Sequence, residues 1–100
     1  APTVANACTG EAMVWNNGTA AFEADMGTTC AGVSTVVFTL PTATNAWSCT
    51  AMNVTTSATA AMEMTASNAT TATFTNYTRT TGVALQFVDG ANVRVSCLGG

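Results

Sequence analysis

Residues 34–54 read STVVFTLPTATNAWSCTAMNV, and apolar side chains return there at every second position. Val36, Phe38 and Leu40 alternate with Thr35, Val37 and Thr39, until Pro41 removes a ladder donor and ends the run. Trp47, Cys49 and Ala51 repeat the pattern beyond it. A period of two puts successive residues on opposite faces of a strand, so each run predicts a strand with one buried face. The same period recurs over 60–65, where Met62 and Met64 share a face opposite Glu63. It recurs again over 71–77, where Ala72 and Phe74 fall together. About a fifth of the chain is Thr, whose branched Cβ favours extended backbone.

Two hairpins are expected. Over 11–24 the Asn17-Gly18 pair suits a two-residue type I′ turn, which sets Trp15 opposite Ala20 and Met13 opposite Phe22. Over 83–97 an odd-length loop centred on Gly90, with a bulge beside it, pairs Phe87 with Val93, Leu85 with Val95 and Val83 with Cys97. A turn of Asp89-Gly90 alone would instead bring Arg94 onto the apolar face. About seven strands, with turn signals roughly every 8 to 12 residues, predict a single all-β domain over residues 1–100. The expected architecture is an antiparallel β-sandwich or jelly-roll-like domain, with a small barrel as the alternative.

Composition narrows the functional classes. The chain has 100 residues, a net charge of -3, no His, and only Arg79 and Arg94 as cations against Glu11, Glu23, Asp25, Glu63 and Asp89. Two separated arginines cannot neutralise a run of phosphates, so no nucleic acid partner is expected. No apolar run approaches the roughly 18 residues of a membrane span, and no membrane association is expected. Ala1 suits removal of an initiator methionine and signal-peptidase cleavage equally. The closing Gly99-Gly100 pair reads as a flexible tail.

Catalysis starts from a poor inventory. Without His or Lys, a hydroxyl nucleophile has only carboxylates as a base, and neither a Gly-x-Ser-x-Gly elbow nor a phosphate-cradling loop is present. No enzyme, cofactor or metal is expected. Glu23 and Asp25 lie two apart on one strand face, a spacing compatible with glycoside hydrolysis or calcium, but nothing else converges on them and a solvated face is the simpler reading. Asn-x-Thr occurs at Asn17, Asn53, Asn68 and Asn76; these fit glycan acceptors in a secreted eukaryotic chain and, more simply, turn asparagines beside strand threonines. Trp15 and Tyr77 are the candidate ligand or interface aromatics: Trp15 abuts a turn, and Tyr77 is out of phase with Phe74. Trp47, beside Cys49, is expected in the core. Cys8, Cys30, Cys49 and Cys97 lack Cys-x-x-Cys spacing and read as two disulfides, in any of three connectivities.

Several phrases carry a resemblance: Leu40-Pro41, the Trp47-x-Cys49 step, the Thr55-Thr56-Ser57 run, the strand from Thr71 to Tyr77, and the closing Val93-x-Val95-x-Cys97. Together they resemble a Thr-rich β module of tailed-bacteriophage virion structural proteins, commonly placed at the C-terminal end of head or tail fibre chains. The resemblance covers about the last six tenths of the chain, from residue 35, and leaves residues 1–34 as a separate N-terminal hairpin segment. It implies a non-enzymatic component of a phage particle, made in the host cytoplasm and displayed on the virion surface. Such a component is a capsid decoration or head-fibre protein that stabilises the shell, or alternatively a tail-associated, glycan-binding fibre tip. The implied partners are copies of itself, as in the trimers of such proteins, together with the major capsid protein or another virion protein, or a bacterial surface glycan. Because Cys49 and Cys97 belong to the module's own phrases, the resemblance also implies that they pair, and with that Cys8 with Cys30. Both sulfurs of the first pair are expected to face the core and to meet across the sheets.

Overall fold

The computed structural model describes residues 2–17 and 21–99. Eight strands are formed there: β1 (Thr3–Ala5), β2 (Ala12–Asn17), β3 (Ala21–Asp25), β4 (Thr35–Thr39), β5 (Trp47–Asn53), β6 (Ala60–Ser67), β7 (Thr71–Thr78) and β8 (Asn92–Gly99). They make two four-stranded antiparallel sheets, ordered β1-β4-β7-β6 and β2-β3-β8-β5. The all-β sandwich read from periodicity is the fold, with one unexpected strand and with no strand over 83–88. The unexpected strand is β1, three residues on the edge beside β4, too short for a period to declare itself.

Alternation explains the core. Val36 and Phe38 of β4, Ala72 and Phe74 of β7, Phe22 and Ala24 of β3, and Val93, Val95 and Cys97 of β8 are buried in one contiguous cluster. Phe22 meets Phe38 edge-on at 5.0 Å between ring centroids, and Phe38 meets Phe74 at 5.9 Å. The first contact joins the two sheets, and burial of each such ring stabilises by roughly 1.5–3 kcal/mol.

Both hairpin registers differ from expectation. The turn glycine Gly18 and Ala20 lie outside the described residues, but the strands flanking them are clear. Trp15 pairs with Glu23 and Met13 with Ala24, with a bulge at Val14 between them. The bulge lets Met13 face the core beside Ala24 while Trp15 turns outward, which a two-residue turn with unbroken register would not allow.

The C-terminal hairpin does not form. β8 is central, with β3 on one side and β5 on the other, so its ladder groups are consumed and residues 83–88 cannot pair with it. Alternation at Leu85 and Phe87 reports a buried side but names no partner. Residues 79–91 instead form a strap that bridges to Tyr77 through Ala84 and plugs the core with Phe87, 1% exposed. Gly99, read as tail, pairs with Trp47.

Both disulfides are closed as the resemblance implies, Cys8–Cys30 with Cα atoms 4.9 Å apart and Cys49–Cys97 with Cα atoms 4.1 Å apart. The second does not cross between sheets. Cys49 and Cys97 stand directly opposite on neighbouring strands, at a non-hydrogen-bonded position where opposed Cα atoms come closest.

Candidate functional site

The side of the β2-β3-β8-β5 sheet that faces away from the core carries the most unusual surface of the molecule. Since Phe22 and Ala24 point inward, Glu23 points out. The register then lines up one outward row across all four strands: Trp15, Glu23, Arg94 and Met52. Trp15 is 43% exposed and Met52 57%. Leu98, on the same face opposite Ser48, is 77% exposed. Between them Thr50, Met52, Arg94 and Ser96 line a shallow groove.

Within the row, Arg94 Nε donates to Glu23 Oε1 at 2.7 Å. Glu23 is only 7% exposed, so the expectation of a solvated carboxylate fails for it. A strand in the middle of the sheet has neighbours on both sides, and here these are Trp15 and Arg94. Asp25 is also engaged, its Oδ1 accepting the Gly27 N–H at 2.8 Å. With one carboxylate ion-paired and the other closing a turn, the two do not form an acid–base pair. Among the described residues no three His, Cys, Asp or Glu side chains gather as a metal site.

The aromatic candidates separate. Trp15 lies on an edge strand of one sheet, while Tyr77 lies on β7 of the other, half-buried rather than the most exposed aromatic. The sandwich stands between them, so they do not build one stacking platform. Trp47 packs against the core, and its Nε1 donates to the carbonyls of Pro41 at 2.9 Å and Ala69 at 3.1 Å.

The asparagines also divide. Asn68 is exposed and closes the β6–β7 turn, its Oδ1 accepting from the N–H groups of Thr70 and Thr71. Asn53 and Asn76 are each 1% exposed. Asn53 Nδ2 donates to Asn76 Oδ1 at 3.4 Å, Asn76 Nδ2 donates to the Leu85 carbonyl at 3.0 Å, and Asn53 Oδ1 accepts from Thr55 and Thr56 N–H groups. Burial with committed amides rules out both as glycan carriers in the folded state. The Asn17 acceptor runs into residues outside the described set.

Sequence reasoning missed Arg94 and Met52 as surface partners of Trp15. The signal was present: Val93-Arg94-Val95 and Phe22-Glu23-Ala24 each put one charge of opposite sign between inward apolar neighbours. The expected β8 hairpin with 83–88 hid the pairing. Comparison with protein-family models, curated proteins and solved structures finds no match to this chain.

Proposed function

We propose that this chain is a non-enzymatic structural component of a tailed-bacteriophage particle, a decoration or head-fibre protein. Its outward β2-β3-β8-β5 face buries against the shell or against other copies of itself. The observation that carries the surface assignment is the collection of Trp15, Met52 and Leu98 on one sheet face. Large apolar side chains gathered on an outer sheet face mark an interaction surface more often than scattered ones do. The phage setting rests on the phrases between Leu40 and Cys97. Two disulfides in a small domain suit a particle that persists in an oxidising exterior.

The glycan-binding alternative has less support, since Trp15 and Tyr77 lie on different sheets and Trp47 is half-buried with its indole N–H engaged by the Pro41 and Ala69 carbonyls. Mass spectrometry of particles produced by the host that carries the gene should recover the chain in many copies. A Trp15→Ser, Met52→Ser, Leu98→Ser triple variant should fold and yet be depleted from those particles. Recovery of the native chain from the lysate alone would remove the virion reading, and undiminished incorporation of the triple variant would remove the assigned face.

A further inference from the structure

The strap that follows β7 is held to β7 itself through Val83, Ala84 and Leu85, whereas its second part, residues 86–90, is held by the segment that the Cys8–Cys30 disulfide tethers. Gly90 N–H donates to the Gly27 carbonyl at 2.7 Å and Phe87 N–H to the Val33 carbonyl at 2.8 Å. In the other direction Cys30 N–H donates to Asp89 Oδ1 at 3.1 Å and Gly32 N–H to Gln86 Oε1 at 3.2 Å. The Val88 carbonyl oxygen rests 3.9 Å from Cys30 Sγ itself. Every one of these anchors falls within residues 27–33, a stretch with no strand of its own. Apart from the disulfide, that stretch and the residues preceding it are tied to residues 8 and 9 by Cys8 N–H to Met26 O and the reciprocal Thr9–Thr28 bridge.

We propose that the Cys8–Cys30 disulfide is a redox latch for residues 86–90 of the strap. Closed, it fixes residues 27–33 and so locks Phe87 in the core. Opened, it frees that segment and residues 86–90 with it, exposing Phe87 at one end of the sandwich while the two sheets stay folded. The step is thiol–disulfide exchange: a dithiol reductant delivers two electrons and two protons to the S–S bond, Cys8 and Cys30 become thiols, and the dithiol becomes a disulfide. Closure is the reverse, with a disulfide oxidant accepting the electrons.

The second disulfide does not share this role. All four cysteines are buried, Cys8 4%, Cys30 1%, Cys49 7% and Cys97 3% exposed, so attack on either bond needs local opening. Cys49–Cys97 lies inside a ladder registered from Trp47–Gly99 to Asn53–Val93, whereas Cys8 and Cys30 lie among exposed, irregular residues such as Thr9, Gly10, Thr28 and Thr29. Segments with few ladder bonds open at lower free energy than central strands. The latch therefore yields first. The inference is independent of the virion reading, since it concerns how this domain closes in any setting.

The test is graded reduction of the oxidised protein with dithiothreitol, followed by alkylation, peptide mapping and amide hydrogen exchange. Cys8 and Cys30 should be alkylated before Cys49 and Cys97. At that stage the Phe87 and Gly90 amides should exchange at least about tenfold faster, with Phe22, Val93 and Val95 unchanged. Prior alkylation of Cys49 and Cys97, unchanged strap exchange, or loss of protection throughout the domain at once would each overturn the proposal. Asp89→Ala, with both disulfides intact, removes the Cys30 N–H acceptor and should by itself raise exchange at Phe87 and Gly90; no change there would also overturn it.

Discussion

The two disulfides staple the same sandwich in opposite ways. Cys49–Cys97 joins strands that are already hydrogen-bonded over seven registered pairs, and its sulfurs add a covalent rung to a ladder. Cys8–Cys30 joins two segments outside any named strand, where it stands in for a ladder. A staple within a sheet restricts chiefly the unfolded chain, since the native neighbourhood exists without it. A staple between irregular segments also creates the native neighbourhood, and its loss has a local address.

That contrast can be broken by experiment. The largest effect is expected from Cys49→Ala/Cys97→Ala. Its sequence separation of 48 corresponds on chain-entropy grounds to about 4 kcal/mol, a fall in Tm on the order of 20 °C for a domain this small, with exchange rising across the whole domain. Cys8→Ala/Cys30→Ala, with a separation of 22, should cost about 3 kcal/mol on the same grounds, and calorimetry should show a broadened transition rather than a uniform shift. If the two variants give transitions of the same shape, the distinction between the staples fails.

Gly27→Ala tests the irregular tie without touching sulfur. Gly27 has φ +92° and a Cβ there would collide with the Thr9 carbonyl oxygen, so a loss of about 2–3 kcal/mol is expected in denaturant titration. It should loosen the strap as the cysteine variant does. The ladder side has a counterpart in Arg94→Met, which strips Glu23 of its partner on β8. With Arg94 62% exposed at its side chain, solvent tempers the loss to about 1–2 kcal/mol. Adding Glu23→Gln should recover part of it, a coupling that a double-mutant cycle measures. Arg79→Ser, which removes one exposed bond to the Ser57 carbonyl, should change Tm least, and a larger fall than that from either cysteine pair would upset the ranking.

What the sequence could disclose follows from what a period measures. The runs at Val36–Leu40, Trp47–Asn53 and Ala72–Phe74 announce strand and buried face because those are local properties. Which strand lies beside which is not local. Leu85 and Phe87 alternate as strand residues do, yet β8 finds Phe22 and Ala24 on one side and Ala51 and Cys49 on the other. Glu23, read as solvated, became buried for the same reason: the residues flanking it come from chain positions 15 and 94. Asn76 looked like a turn residue because its local pattern is polar, and its burial depends on Leu85 and Asn53 arriving from elsewhere.

The amide contact between Asn53 and Asn76 joins a strand of one sheet to a strand of the other. Apolar packing between two pleated layers is non-directional, and sliding one layer by a residue pair exchanges one set of methyl and ring contacts for another of similar worth. An amide bond has no such substitute. Displaced by one step, Asn53 would leave Asn76 with an unmet acceptor in the dry interior, a penalty of about 1–3 kcal/mol. The pair thus works as a dowel between two boards, contributing little to how firmly they are pressed together and much to where they come to rest.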